Sequence, residues 1–466
     1  MEVVQAYRFA LDLTRTQERK LASHAGAARF AYNFGLALVK GSLDRLGAGA
    51  DVEVPWTLPA LRRGWNAAEH ELAPWWSENS KEAASSGLAD LAAGFKAFWD
   101  SKHGQRQGPR VGFPRFKRRG RARESFRYTT GRFGVFGRTR VQLPRVGHVR
   151  THEPTGKLAR KLKAGEARIL SATVSREGGR WCCSFCCEVG RANERASRPG
   201  SVVGVDAGVG HLAVLSTGEP VENPRPLARA QRKLRRLQRK TDRQRRANNP
   251  DCYDQQGRAI KGRRPIRRSN RQRRSDRRVT RLHARAGSIR TDALHQLTSK
   301  LASEHGTVVV ERLNARGLCR AGSRGLRRAI HDASIAEIRR QLQYKTAWRA
   351  GTLIQAPTLF PSSKTCSACG TATAKLPLGA RTFVCEHCGL VLNRDLNAAR
   401  NLAALAGTVA GSGPETINAR SRSPAGERTE NPYKTRPRRA VGRPRSRQPP
   451  TRARQTGTAP EQSEAA

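Results

Sequence analysis

Two sets of side chains have the types and spacing for chemistry. The first is a pair of Cys-x-x-Cys turns, Cys366-Ser367-Ala368-Cys369 and Cys385-Glu386-His387-Cys388, separated by fifteen residues. Each turn can present two thiolates to one ion, and four thiolates at about 2.3 Å form a closed tetrahedral zinc site. Gly370 and Gly389 follow the two pairs and suit tight turns. A closed site has no open coordination position, so its zinc is expected to be structural. The plainer alternative is four unligated core cysteines. His387, lying between ligands, is read as a bystander.

The second set is Asp206, Glu311 and Asp395, far apart in the chain but alike in setting. Asp206 stands near the end of the apolar run Val202–Val205. Glu311 ends the run Val308–Val310, and Asp395 precedes the helical pattern Leu396-Asn397-Ala398-Ala399. Carboxylates at neighbouring strand ends can converge on two Mg²⁺ ions, which activate a water and stabilise the leaving oxygen of a phosphodiester. Each also has a dull reading: Asp206 as a turn former, Glu311 as a surface residue, Asp395 as a helix N-cap. Their common placement favours one acidic metal site.

A second cysteine cluster, Cys182, Cys183, Cys186 and Cys187, falls on a strand pattern. Side chains alternate there, so same-face cysteines four residues apart stand roughly 13 Å apart, too far for one zinc ion. Cys183 and Cys187 share one face with Trp181, Phe185 and Val189, Cys182 and Cys186 share the other, and all four are expected to be small buried side chains.

The elements needed to position these groups are legible in outline. Residues 1–13 alternate as a strand. Helical spacing runs through 22–36 and 82–100, and strands broken by turns fill 124–190, with a hairpin at Glu177-Gly178-Gly179. Strands are expected at 202–205, 211–215, 307–311 and 352–356, and helices at 332–349 and 396–406. Between Arg229 and Arg290 the chain holds 24 Lys or Arg against 4 Asp. Ala230, Leu234 and Leu237, then Val279, Leu282, Ala286 and Ile289, keep helical spacing, so two basic helices are expected as a hairpin. The second continues through Leu294, Leu297 and Leu301 to a stop at Gly306. In 104–123, Pro109, Phe113, Pro114 and Phe116 interleave with Arg110, Arg115, Lys117, Arg118 and Arg119, a pattern suited to a nucleic-acid backbone with exposed bases.

Lys plus Arg number 89 against 37 Asp plus Glu in 466 residues, a formal net charge of +52. Such an excess calls for a polyanion, and nucleic acid fits best. No lipidation signal or bilayer-length apolar run supports a membrane. The N-terminus lacks the form of a signal peptide. A reducing cytosol is therefore expected, with cysteines serving as ligands or core residues. The Pro-, Arg- and Ser-rich segment 412–466 is expected to be disordered.

The stretches Gly204-Val205-Asp206-Ala207-Gly208, Val309-Val310-Glu311-Arg312-Leu313-Asn314, Cys366–Cys388 and Asn393-Arg394-Asp395-Leu396-Asn397-Ala398-Ala399 together resemble the split RuvC nuclease of the TnpB family. These are transposon-encoded RNA-guided endonucleases related to compact type V CRISPR effectors. Phe30-Ala31-Tyr32-Asn33, Pro114-Arg115-Phe116-Lys117, Ser125-Phe126-Arg127 and Leu143-Pro144-Arg145-Val146-Gly147 are softer matches. The resemblance implies an α/β multidomain chain in which an RNase H-like RuvC nuclease domain with a zinc-ribbon insertion follows a wedge-type β-barrel with an inserted helical recognition domain. The wedge would be 1–14 and 104–198, and the recognition insertion 15–103. RuvC motifs I and II would lie in 199–365, with the basic hairpin at 227–304 near a guide–target heteroduplex. The zinc ribbon would be 366–390, motif III 391–407 and the disordered tail 408–466. Residue by residue, the resemblance makes Asp206, Glu311 and Asp395 catalytic Mg²⁺ ligands (Mn²⁺ is the substitute) and Cys366, Cys369, Cys385 and Cys388 zinc ligands. It implies a guide RNA, a double-stranded DNA target beside a short adjacent motif, and a monomer on one RNA.

Two rival functions follow from the same residues. An RNA-guided repressor that binds without cutting is disfavoured by the intact acidic set. A transposase using a nucleophilic Tyr would want a His-x-His motif, and none of the eleven histidines forms one.

Overall fold

The computed structural model describes residues 2–191, 194–358, 360–373, 376–377 and 379–411. The chain opens with β1 (Glu2–Asp12) and passes into α1 (Arg15–Gly47). Thr14 starts that helix: its hydroxyl accepts from Gln17 N at 3.2 Å, and Gln17 Oε1 accepts from Thr14 N at 3.1 Å, a reciprocal cap. α2 (Leu58–Leu72) and α3 (Lys81–Lys102) pack on α1 around Leu36, Leu61, Leu88, Leu91 and Phe95.

Residues 104–124 cross from these helices to the first sheet. Here the interleaved aromatics depart from expectation. Phe113 packs into the helical core, edge-on to Trp56 and Phe98. Lys117 lies over the Tyr32 ring, and its backbone N and O bond Asn33 Oδ1 and Nδ2 at 2.8 and 3.0 Å. Only Phe116 stays exposed, with Lys40 over its ring. The Tyr32-Asn33 and Pro114–Lys117 motifs are thus one clasp rather than a row of stacking platforms.

Six strands follow: β2 (Ser125–Tyr128), β3 (Gly134–Phe136), β4 (Arg140–Leu143), β5 (Gly147–Thr151), then, after α4 (Gly156–Lys163), β6 (Ala167–Glu177) and β7 (Arg180–Gly190). With β1 they form an antiparallel sheet in the order β2-β6-β7-β1-β5-β4-β3. Trp181, Cys183, Phe185, Cys187 and Val189 all enter its core, as strand alternation demands, while on the other face Cys182 is buried and Cys186 only half-buried, short of the burial expected for it. Helix α4 was not anticipated. Its Leu158 and Leu162 have helical spacing, but eight residues among strands give a weak periodic signal.

The second sheet is mixed. It comprises β8 (Arg198–Ala207), β9 (Ala213–Leu215), β10 (Pro220–Val221), β11 (His305–Val310) and β12 (Thr352–Gln355), in the order β10-β9-β8-β11-β12. β8, β11 and β12 run parallel, while β9 and β10 return antiparallel. Between β10 and β11 stand α5 (Pro226–Asn248) and α6 (Asn270–Glu304), the expected hairpin. Ile289, expected on the apolar face of α6, is 42% exposed, while Gln272 and Ser275 are buried. Gln272 Oε1 accepts from Asn248 Nδ2 at 2.9 Å, so the far end of the hairpin is joined by polar contacts.

After β11 come α7 (Ala315–Ala321), α8 (Arg324–Ala333) and α9 (Ile335–Ala347). The helix expected over 332–349 begins instead at Ile335, because Ser334 takes a left-handed conformation, φ 51°, that ends α8. Asp332 roots the basic hairpin. Its carboxylate accepts from Leu227 N and Ala228 N at the start of α5, and pairs with Arg290 of α6 at 3.0 Å. β13 (Thr382–Val384) and β14 (Val391–Asn393) pair as a ribbon, so its second strand lies beyond the expected boundary at 390. α10 (Arg394–Gly411) follows with no intervening loop. It starts earlier than expected and takes in 408–411, which were assigned to the tail. The tail segment 412–466 lies outside the described residues. No helix among the described residues is long and apolar enough to cross a membrane.

Candidate active site and zinc centre

Asp206 and Glu311 are brought together by strand register. Val309 pairs with Gly204 and Val310 with Val205 in parallel alignment, so the two carboxylates follow adjacent paired residues. Alternation fixes their side. Val203, Val205, Val308 and Val310 face the core built with α6 and α9, whereas Val309 packs with Leu402 and Ala406 of α10. Asp206 and Glu311 share the parity of Gly204 and Val309, and therefore the α10 side of the sheet.

Asp395 comes from α10 itself. Gly204 permits this: a Cβ there would sit 1.9 Å from Ala399 O and 2.6 Å from Ala403 N, so the helix rests on bare β8 backbone. Asp395 is the second residue of α10 and does not precede it. The N-cap is Asn393, whose Oδ1 accepts from Asp395 N at 2.9 Å and Leu396 N at 3.2 Å. The N-cap role considered for Asp395 therefore belongs to Asn393, two residues earlier.

The other two carboxylates act on Asp206. Burial pushes the Asp206 carboxyl up to about 7. The negative charges of Asp395 and then Glu311 push the same way, against the opposing influence of Arg394. Burial also raises Glu311. Like charges gathered in a half-buried place raise a carboxyl pKa, and a divalent cation relieves that repulsion. By chemistry the donor set, three carboxylates with hard oxygen ligands, suits Mg²⁺ or Mn²⁺, while the three side chains are not drawn as close together as the ribbon sulfurs.

The four ribbon cysteines converge. Their sulfurs all lie within 4.8 Å of one another, with Cys366 to Cys388 and Cys369 to Cys385 at 3.6 Å each. Sulfurs around a tetrahedral zinc at about 2.3 Å stand roughly 3.8 Å apart, so the spacing suits the ion. The knuckles are alike. Cys366 N donates to Thr371 O and Gly370 N to Cys366 O, while Cys385 N donates to Leu390 O and Gly389 N to Cys385 O. Gly370 and Gly389 carry φ of 75° and 70°, which a glycine takes without strain. The four thiols share their protons unequally: the Thr371 side chain, 3.4 Å from Cys369 Sγ, and the Thr371 backbone lower Cys369 to about 5, whereas against the Leu390 backbone the neighbouring Cys366 and Cys369 push Cys388 up to about 12. Among the described residues this is the only group of three or more His, Cys, Asp or Glu side chains close enough to hold a metal through one atom each.

Sequence reasoning left two positioning residues without a role. Asn397 is fully buried on α10: its Oδ1 accepts from Ser367 N at 2.9 Å and its Nδ2 donates to Thr365 O at 2.7 Å. Asn401, one turn on, donates to Ser362 O and Thr365 O. Two amides four residues apart on an otherwise apolar helix face were the available signal. They bolt the first knuckle to the helix that carries Asp395.

Comparison with known proteins places this architecture. Residues 184–321 match the family described as "Probable transposase", and residues 336–402 match "Cas12f1-like, TNB domain". A "Putative RNA-guided DNA endonuclease" of Mycobacterium tuberculosis strain H37Rv is 37% identical over 419 residues, covering 86% of each chain. The chain belongs to the TnpB family. Among TnpB relatives, the "Putative RNA-guided DNA endonuclease InsQ" of Escherichia coli K12 is 29% identical, covering 87% of this chain and 92% of its own. The solved "Cas12f1-sgRNA-target DNA complex" is similar at 14% identity and a TM-score of 0.43, covering 86% of this chain and 99% of that one. A further match, "Helix-turn-helix domain", covers residues 1–45. In this TnpB chain those residues form β1 and the single long helix α1.

Proposed function

We propose that this chain is an RNA-guided DNA endonuclease that hydrolyses target phosphodiesters at a site formed by Asp206, Glu311 and Asp395. The observation that carries the reading is geometric: parallel register sets Asp206 and Glu311 just after the paired residues Val205 and Val310, and bare backbone at Gly204 lets α10, which carries Asp395 in its first turn, lie on β8. The strand order β10-β9-β8-β11-β12 supports an RNase H-like RuvC domain, and the names borne by its relatives support guidance by RNA.

Asp206, Glu311 and Asp395 would hold Mg²⁺, and Mn²⁺ in its place. Divalent ions there supply the Lewis acidity that lowers the pKa of an attacking water and stabilises the leaving oxygen. The chain's own part is to gather three negative charges at the ends of two neighbouring interior strands and the first turn of a helix. Asp206 must give up its proton before it can serve as a ligand. The four ribbon cysteines hold a structural zinc ion, and Asn397 and Asn401 transmit that fixed geometry to α10.

The rest of the chain fits the same reading. Segments 1–14 and 104–198 act as the wedge, 15–103 as the recognition insertion, 199–365 and 391–407 as the nuclease and 366–390 as the zinc insertion. The hairpin 227–304 lies along nucleic acid. A monomer on one guide RNA is the expected particle. The test is cleavage of a guide-matched DNA duplex with Mg²⁺. Native protein should cut it, and Asp206→Ala protein should bind but not cut. Cutting by the variant refutes the site.

A further inference from the structure

We propose that the tip of the α5–α6 hairpin is a duplex-engaging wedge, in which Ile266 enters the base stack while flanking arginines grip the phosphates. Ile266 is 84% exposed, the highest value for a large apolar side chain among the described residues. Single exposed apolar residues are ordinary on a protein surface. This one is not placed in an ordinary way. It follows Pro265 within Arg263-Arg264-Pro265-Ile266-Arg267-Arg268, in the loop that joins the two helices of the most cationic part of the chain. All residues from 261 to 268 are exposed.

The tip is built rather than loose. Asn249, buried at the end of α5, accepts from Arg267 N at 2.8 Å and donates to Arg267 O at 2.9 Å. The same amide donates to Arg245 O at 2.9 Å, tying the clasp to the helix. Within the loop, Ile260 N donates to Cys252 O, Arg263 N to Ile260 O, and Tyr253 bridges Ala259. The residue before the clasp is therefore presented outward at a fixed place, with its side chain left in solvent.

The surroundings select the occupant. A groove along α5 is lined by Arg229, Arg232, Arg236, Arg239, Arg243 and Arg246, all exposed. Its one carboxylate, Asp242, pairs with Arg245 at 3.0 Å. From Arg229 to Arg246 this stripe spans about 26 Å, at 1.5 Å per residue. That matches seven or eight base pairs, at about 3.4 Å along one strand. The stripe leads into the tip, because Arg246 leans against Gly257. A partner that is anionic outside and offers flat apolar surface inside is a nucleic-acid duplex, and apolar side chains that insert between base steps kink or open it. This goes beyond the nuclease reading and does not depend on cleavage.

The test uses the full chain, without added Mg²⁺, on short duplexes carrying 2-aminopurine in a DNA strand. One arm uses DNA–DNA and the other a DNA–RNA hybrid, to identify which duplex is engaged. Native protein should raise 2-aminopurine fluorescence in at least one arm. Ile266→Ser should abolish that rise and weaken binding about tenfold, the scale of one lost base-level contact, while leaving the slope of log K against log salt unchanged. Ile266→Leu should restore the rise. Arg264→Ala, Arg267→Ala and Arg268→Ala together should flatten the slope by about 2.7, or about 0.9 per phosphate contact. No fluorescence rise with native protein in either arm, or an undiminished rise with Ile266→Ser, overturns the proposal. Since no step requires cutting, a failure of the nuclease reading would leave these outcomes unaffected.

Discussion

Gly204 and Ala399 are in backbone contact: a methyl group on Gly204 would stand 1.9 Å from the Ala399 carbonyl oxygen. This one absence of a side chain lets α10 lie on β8 and puts Asp395 beside Asp206.

Gly204→Ala should therefore disturb both stability and cleavage. Overpacking costs about 1–3 kcal/mol, and forcing backbone from backbone belongs at the upper end. Displacement of α10 by about 1 Å should lower cleavage by about a hundredfold. Gly200→Ala, where nothing lies within 4 Å of the added carbon, is the matched control and should leave both unchanged. Equal melting temperatures and rates for the two variants would show that the close approach is unimportant.

The Asp206 carboxyl, raised to about 7 in the fold, gives a pH dependence with a definite sign. The unfolded chain holds this group near 4, so its protonated form is favoured by folding. Stability is fully present below pH 4 and falls as pH rises through 7. Without Mg²⁺, Asp206→Asn should thus melt higher than native protein at pH 8, by a difference on the order of 2–4 kcal/mol. The gap should close near pH 3.5. Adding Mg²⁺ at pH 8 should raise the native melting temperature more than that of the variant. Thermal melts at the two pH values, with and without Mg²⁺, check all three statements.

Asn397→Ala should separate the zinc centre from the nuclease site. Losing two buried hydrogen bonds costs about 1–3 kcal/mol, but the four sulfurs remain. Elemental analysis should still find one zinc per chain, while cleavage of a matched duplex should fall. Full cleavage by this variant would mean that the ribbon does not position α10.

Cys366→Ser and Cys385→Ser should lose zinc and destabilise the domain, since a closed zinc site contributes folding energy directly. Cys183→Ser should keep zinc, because that side chain sits in the core of the first sheet. Unchanged zinc in either ribbon variant would refute the ligand set.

Local signals were legible and relational ones were not. The cysteine spacing dictated the knuckles, and alternation through Trp181, Phe185 and Val189 correctly sent Cys183 and Cys187 into the core. The runs ending at Asp206 and Glu311 read as strands because β-branched side chains fill them. Asp395 was harder. Its setting depends on Asn393 taking the cap, a choice between two residues that both can cap a helix. Helices α7 and α8 were missed because their arginine-rich sequences bury few apolar residues, and periodicity needs apolar residues to register. Ile289 had helical spacing but no partner to cover it. Phe113 and Lys117 looked like a nucleic-acid platform because the sequence does not show that Tyr32 and Asn33 wait across the fold.

The direct passage of β14 into α10 also has a consequence in time. Asp206 leaves the ribosome in the first half of synthesis, and Glu311 follows, but Asp395 arrives only after both knuckles have emerged. A nascent or truncated chain that ends before the ribbon holds two of the three carboxylates and most of the chain's Lys and Arg, so on the proposed reading it would meet nucleic acid before its acidic cluster is complete. On the nuclease reading proposed above, the order of the motifs along the chain would delay cleavage until the cysteine ribbon and α10 have been made.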